Sequence, residues 1–489
     1  MDTANRIVRS VLITLAFFLI TGSVGTAFAQ LSDSIRSLVD ESEASGAFWV
    51  IQVRDSDGNL LENLNGDKII RPASNLKLVS SGLFLETMGA DYRFETRLYG
   101  SGELRDSTWY GNLYVEGSGD PTISGIFYDE NPLFLFERWA DSLRLRGIQS
   151  ISGNLIGYSA AFDDMPYPEG WEWSDLTFYY APEISALSFN NNVVNLKVTA
   201  DGPVGSVPMI EWHPFNTPYI EFINEQEIRP AGTEYDESYQ RILGSNRILL
   251  RSKLPRGYIE TEPLSVHNAA GYFMDTFRRV LEKEGIQVSG HISVEEDSSK
   301  WEPSALEVLA DHRSEPLSRL IQQLNRESDN FYTEMLLKKT VTEAMGIRGR
   351  TEPGLELLKE YMQMMDFDTS AVNLKDASGM APANYIKGGD LNRYLLKIKE
   401  KEYFTDFYES LSVGGENGTM EHRFRNSVVK GFFYGKTGFV SGVRAHSGYL
   451  ETQSGRELAV TIVTNNYTAK TSDVDRIHQR ILEFLHLTY

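Results

Sequence analysis

The sequence predicts an α/β (α+β) domain assembled from both ends of the chain and interrupted by a large β-rich insertion. Three observations lead there. The strands and helix at the start carry too little apolar surface to close a core alone, so they need partners from elsewhere in the chain. From about residue 92 the texture changes to short alternating runs broken by Gly, Pro and Asp. Helical periodicity then returns, and the chain ends in a hairpin and an amphipathic helix. At 489 residues, two or three domains are expected. The boundaries follow the texture: residues 30–94 and 296–489 form the split domain, and 95–295 form the insertion.

The elements are read in order. Arg6 and Arg9 precede the apolar run VLITLAFFLITGSVG, and Ala27-Phe28-Ala29 supplies small residues for signal-peptidase cleavage after Ala29. Residues 1–29 therefore read as a signal peptide, which makes the mature chain exported and periplasmic with no membrane span. AFWVIQVRDSDGNLLENLNG is a hairpin that turns at Asp55-Ser56-Asp57-Gly58. In RPASNLKLVSSGLFLETMG, the residues Leu76, Val79, Leu83 and Leu85 predict a helix with one buried side, which Gly89 ends. The insertion holds runs such as FETRLYGSG, NNVVNLKVTADG and RILLRSKLP, with a helix near LFLFERWADSLRLRG. It also holds two aromatic-rich loops, MPYPEGWEWSDLTFYYAPE and IEWHPFNTPYIEF. Leu317 to Met345 reads as strongly helical. HSGYLETQSGRELAVTIVTNN turns at Ser454-Gly455, and Val474, Ile477, Ile481, Phe484 and Leu485 mark the last helix.

Composition excludes several functions. A net charge of -21 argues against nucleic acid or an anionic membrane surface as a partner. The chain has no Cys, so thiol chemistry and Cys-containing metal sites are ruled out. None of the eight His is followed by Glu, so there is no HExxH site. There is also no GxSxG elbow and no GxGxxG fingerprint. No metal or cofactor is expected.

The stretch GFFYGKTGFVSG, Gly431 to Gly442, resembles a phosphate-binding loop only superficially. Three residues, all aromatic, separate Gly431 from Gly435, where a P-loop needs four and needs bare backbone N–H groups. FFYGKTGFV reads as a strand. Its Lys436-Thr437-Gly438 then belongs to a set: Ser74-Asn75-Leu76-Lys77, Ser328-Asp329-Asn330 and Lys436-Thr437-Gly438, in that order. Each motif alone is weak. Ser427-Val428-Val429-Lys430 repeats the first pattern, and Ser152-Gly153-Asn154 and Ser188-Phe189-Asn190 repeat the second. Context separates them. Ser74 and Lys77 lie three apart at a helix start and share a face. Ser427 and Lys430 flank two valines in an expected strand, where that spacing points them apart.

The residue types fit acyl transfer. A serine hydroxyl needs a base to take its proton as it attacks, and a buried, neutral Lys77 can do so. A second cation, Lys436, would lower the Lys77 pKa further. Ser328 can relay a proton to the leaving amine. Asn330 can hydrogen-bond Lys77 and the substrate amide. Lys436 and Thr437 suit a substrate carboxylate, and Gly438 leaves room for the substrate backbone. The backbone N–H groups of Ser74 and Phe439 are the expected oxyanion hole. By itself Ser74 would serve as a helix N-cap, Ser328-Asp329-Asn330 as a cap before FYTEMLLKK, and Lys436 as an exposed strand residue.

With these motifs the chain resembles the D-alanyl-D-alanine carboxypeptidase/endopeptidase family, the class C low-molecular-mass penicillin-binding proteins (peptidase family S13). GNLYVEGSGDPT, PEGWEWSDLTFYYAPEISALSFNNNVVNL, DASGMAPANYI and GENGTMEHRF carry the likeness across nearly the whole mature chain. The long gap between Ser74 and Ser328 is characteristic of the family. The resemblance implies a penicilloyl-serine transferase fold and cleavage of peptidoglycan peptides through an acyl-serine at Ser74. It also implies inhibition by β-lactams, and a role for Asp175 in binding the free end of diaminopimelate. Alternatives are a β-lactamase or esterase of the same fold, or a noncatalytic peptidoglycan-binding protein. Two features depart from the family. SGMAPAN has Pro382 and no Arg or Lys where a basic residue is common, and Phe439 stands where a small or hydroxylated residue is commoner.

Overall fold

A computed structural model describes residues 31–489. The expected export segment lies outside the described residues. The split domain is built on a six-stranded antiparallel sheet. Its strands are β1 (Phe48–Asp55), β2 (Leu60–Leu64), β3 (Ser412–Val413), β4 (Phe433–Val440), β5 (Val443–Glu451) and β6 (Glu457–Asn465), in spatial order β2-β1-β6-β5-β4-β3. The N-terminal hairpin therefore pairs with the C-terminal strand: Val50 lies opposite Val463 and Ile51 opposite Ile462. This closure places Lys436-Thr437-Gly438 near the sheet edge. The short β3 covers β4 only at Tyr434 and Gly435, so from Lys436 onward that side of β4 has no strand partner among the described residues.

Each sheet face is covered by helices. On one side α1 (Asp33–Asp40) and the C-terminal α7 (Thr471–Thr488) bury Ile35, Val39, Val474, Ile477, Ile481 and Leu485 against strand residues such as Trp49, Ile51 and Ile462. On the other lie α2 (Leu76–Met88), α3 (Leu317–Arg326), α4 (Asn330–Met345), α5 (Thr351–Met364) and α6 (Gly388–Lys397). The expected single buried side of α2 gives way to burial all round: every residue from Leu76 to Leu85, including Lys77, Ser80 and Ser81, is buried. It is the central helix of its layer, packed on α3, α4 and α5. The strongly helical stretch expected from Leu317 to Met345 forms two helices, divided at Ser328-Asp329, where the sequence also reads as a cap. Ser328 adopts φ 59°, and Asp329 caps α4 by accepting from the Tyr332 N–H at 3.1 Å.

The insertion has its own apolar core, centred on the helices Phe134–Leu145 and Ala269–Lys283 between small mixed sheets. One of its strands, Glu95–Gly100, pairs antiparallel with Glu307–Arg313, and Leu309 and Ala310 belong to the insertion core. We therefore propose to set the second junction near 313 instead of 295. Ser427 to Lys430 is not a strand. The segment forms turns, with the Ser427 hydroxyl donating to Glu483 at 2.6 Å. The turns override the strand preference of Val428-Val429, and the competing Ser-x-x-Lys does not line the cleft described next.

Candidate active site

Ser74 sits in a short 3-10 turn, Ala73–Asn75, that leads into α2. It is not an N-cap: neither Asn75 nor Pro72 makes a side-chain cap bond at these starts. The turn is fixed by its neighbours. The Asn75 side chain donates to Ser447 Oγ on β5 at 2.7 Å. The Arg71 N–H donates to Asn465 Oδ1 on β6 at 2.8 Å. Ala73, just before the serine, has φ 47°, an unfavourable conformation for a residue with a side chain. The surroundings hold it there. Gly379, at φ 81°, packs so closely that a Cβ would stand 2.0 Å from the Ala73 carbonyl oxygen. Gly438 on β4 meets the same turn from the other side, where a Cβ would lie 3.0 Å from the Pro72 carbonyl oxygen. Its lack of a side chain thus lets the strand approach Ser74, in addition to any room left for substrate.

Lys77, one turn along α2, is 0 % exposed. Its ammonium has three acceptors: Ser74 Oγ at 3.2 Å, Asn330 Oδ1 at 2.6 Å and the Ser378 carbonyl at 2.7 Å. Burial pushes its pKa down to about 8, while Asp376, Glu334 and Asp329 oppose that fall. The lowering expected from Lys436 is felt in the other direction. Lys436 is itself held well below the ordinary lysine range, first by burial and then by Lys77 and Arg444. Lys436 is 0 % exposed, and its Nζ donates to the adjacent Thr437 carbonyl at 2.9 Å.

The other predicted residues gather around one cleft of about 1550 Å³. Ser74, Ser328, Asn330, Thr437, Phe439 and Asp175 line it. The Thr437 hydroxyl pairs with that of Thr419 at 2.8 Å. Phe439 is 56 % exposed, with its backbone on the unpaired edge of β4. The Asn330 amide nitrogen, expected to reach substrate, donates to the Tyr180 carbonyl at 2.8 Å and so ties α4 to the insertion. Asp175 is half-buried and accepts from Tyr180 Oη at 3.3 Å. Burial, then the nearby Glu172, raises its pKa. Met380 and Pro382 line the cleft in the segment that lacks a basic residue.

Several groups escaped the sequence reading. Glu334, buried one turn after Asn330 on α4, accepts from the N–H groups of Ala377 and Ser378 at 3.0 and 2.8 Å. It thereby aims the Ser378 carbonyl at Lys77. Burial, then Asp376, raises the Glu334 pKa to about 8. Asp376 accepts from the Gly379 and Ala381 N–H groups, from Asn384 and from Trp171 Nε1 at 2.6–2.9 Å, joining this loop to the insertion. The i, i+4 spacing of Asn330 and Glu334 was a usable signal. The backbone partners left no mark in the sequence.

A serine and a buried lysine one helical turn apart, beside an antiparallel strand edge, define a serine acyl-transfer enzyme of the penicilloyl-serine transferase fold. Comparison with known families specifies which. Residues 31–486 match the model of the D-Ala-D-Ala carboxypeptidase 3 (S13) family, and the chain belongs to that family. It is 28 % identical to a D-alanyl-D-alanine carboxypeptidase of Actinomadura, over 94 % of this chain and 86 % of that protein. It is 23 % identical to D-alanyl-D-alanine carboxypeptidase DacB of Haemophilus influenzae, over 84 % of each chain. Among solved structures, penicillin binding protein 4 (dacB) of Haemophilus influenzae superposes with a TM-score of 0.81 at 20 % identity. That match covers 93 % of this chain and 100 % of the other.

Proposed function

We propose that this enzyme hydrolyses the D-alanyl–D-alanine bond of peptidoglycan stem peptides through an acyl-enzyme on Ser74, and that β-lactams acylate the same hydroxyl. The observation that carries the assignment is the 3.2 Å contact between Lys77 Nζ and Ser74 Oγ, made by a lysine that burial brings near neutrality. Lys77, when neutral, takes the Ser74 proton as Oγ attacks the scissile carbonyl carbon. The oxyanion is received by the Ser74 and Phe439 N–H groups. Ser328 passes a proton to the departing amine, the C–N bond breaks, and water then hydrolyses the ester with Lys77 again as base. Asn330 holds Lys77 in place, and Lys436 keeps a second buried amine beside it. Thr437 faces the carboxylate of the leaving residue. Asp175, with Glu172 beside it, faces the free ammonium of the stem-peptide side chain. The expected signal peptide, residues 1–29, supports a periplasmic site of action.

The test is covalent labelling with a fluorescent penicillin, followed by denaturation. Wild type should retain the label and Ser74→Ala should not. Digestion of purified muropeptides then separates free D-alanine from cleaved cross-links. Rapid loss of the label would instead indicate a β-lactamase. Muropeptide binding without cleavage, unchanged in Ser74→Ala, would indicate a binding protein.

A further inference from the structure

Apart from Ser74, Lys77 is held by two acceptors, Asn330 Oδ1 on α4 and the Ser378 carbonyl. One segment of the insertion, residues 161–180, is tied to the elements that carry both. The segment has a 3-10 turn, Asp175–Thr177, and no helix or strand, so point contacts fix it. At its start Asp163 Oδ1 and the Met165 carbonyl accept from Lys338 Nζ on α4 at 2.6 and 2.7 Å. In its middle Trp171 Nε1 donates to Asp376 Oδ2 at 2.9 Å. Asp376 Oδ1 in turn accepts from the Gly379 N–H at 2.7 Å, next to Ser378. At its end the Tyr180 carbonyl accepts from Asn330 Nδ2 at 2.8 Å. Just before that, the Leu176 carbonyl accepts from Arg241 Nη2 at 2.6 Å, and the same nitrogen reaches Tyr167 Oη at 2.8 Å. Arg241 is 4 % exposed and ends the strand Tyr239–Arg241, which pairs with Arg247–Leu250 in the insertion core.

These contacts have a polarity. The Tyr180 carbonyl can only accept, so Asn330 Nδ2 must face it, and Oδ1 is left facing Lys77. A reversed amide would turn its N–H groups towards an ammonium. The Trp171 N–H can only donate, which favours the ionised form of Asp376. We propose that residues 161–180 are a positioning strap for acylation, with Trp171 and Arg241 as its anchors. The strap holds both acceptors of Lys77 and so keeps Lys77 Nζ in reach of Ser74 Oγ. Neither anchor lines the cleft, so the strap acts on the acylation step and leaves ligand affinity alone. It gives the insertion a part in the chemistry and rests on the acyl-serine reading above.

Stopped-flow acylation by a fluorescent penicillin with no amine in its side chain tests this. Saturation separates the first-order acylation constant from the dissociation constant of the complex that precedes it. Trp171→Phe keeps an aromatic ring and removes one N–H. Arg241→Met leaves the Leu176 carbonyl a second donor, the Ser265 hydroxyl. In each folded variant, checked by urea titration, the acylation constant should fall on the order of 3- to 30-fold, because small misplacements of a reacting group are expensive in rate. The dissociation constant should stay within about twofold of wild type. A wild-type acylation constant in either folded variant overturns the proposal, and so does a loss confined to the dissociation constant. Trp171→Phe decides the matter alone if Arg241→Met does not fold. Wild-type labelling on Ser74 with unaffected variants leaves the acyl-serine reading standing. A wild type that is not labelled on Ser74 overturns both.

Discussion

Lys77 Nζ donates to the Ser378 carbonyl at 2.7 Å, although 301 positions separate the two residues. Glu334 secures that contact through the Ser378 N–H and also opposes the fall in the Lys77 pKa. Lys77 is protonated below about pH 8 and cannot then accept the Ser74 proton, so acylation should rise with pH through that value. Glu334→Gln keeps a carbonyl acceptor and removes the charge, so the rising limb should move to lower pH. The second-order rate of labelling by a fluorescent penicillin, measured against pH, reads this directly. A limb that stays in place or moves up would refute the role of Glu334.

Asn330→Leu removes the 2.6 Å acceptor of Lys77 and the tie to the Tyr180 carbonyl. Hydrogen bonds to charged groups contribute about 1.5–3 kcal/mol, which corresponds to a loss of roughly 10- to 100-fold in acylation rate. Stopped-flow labelling of the folded variant checks it. Acylation at the wild-type rate would show that Asn330 does not position the lysine.

Gly438→Ala places a methyl group 3.0 Å from both the Pro72 carbonyl and Ala445 Cβ. The strand must then draw back from the turn that carries Ser74. Small misplacements of reacting groups are expensive in rate, so acylation should fall at least about tenfold, with a stability cost of about 1–3 kcal/mol from overpacking. Urea titration beside the labelling assay separates the two effects. Equal labelling rates would place the substrate path elsewhere.

Behind the sheet, His446 and His478 join through their Nδ1 atoms at 2.8 Å, and His478 Nε2 meets Thr464 Oγ1 at 2.8 Å. Burial, then Arg444, pushes the His478 pKa down to about 3. The folded state thus refuses a proton that the unfolded chain accepts below about pH 6.5. The sign follows: stability is intact above about 6.5 and falls as pH drops towards 3, by roughly 3–5 kcal/mol from this residue. Urea unfolding between pH 4 and 7 should show that slope, and His478→Gln should flatten it. An unaltered slope would remove the histidine pair as its cause.

The residues of the candidate site were legible because their types and order are chemically specific, and because Ser74 and Lys77 are close in sequence, on the turn and the first residues of the helix it leads into. The break at Ser328 was legible only as a cap before FYTEMLLKK, while the φ of 59° that turns the chain between α3 and α4 left no mark in the sequence. The pairing of Glu307–Arg313 with Glu95–Gly100, on which the proposed junction near 313 rests, spans the entire insertion and leaves no local signal in the sequence.

The sequence by itself determined the fold class, the motif order and the family resemblance, since these rest on residue identity and local periodicity. The tertiary structure decided which groups surround them. It buried Lys77 among Asn330, Ser378 and the acids that adjust its proton affinity. It buried Lys436 with its Nζ on the Thr437 carbonyl, and left Arg444 Nη2 without a hydrogen-bond partner among the described residues. The reason is physical: desolvation and hydrogen-bond satisfaction depend on every neighbour in space, and most of those neighbours come from distant parts of the chain.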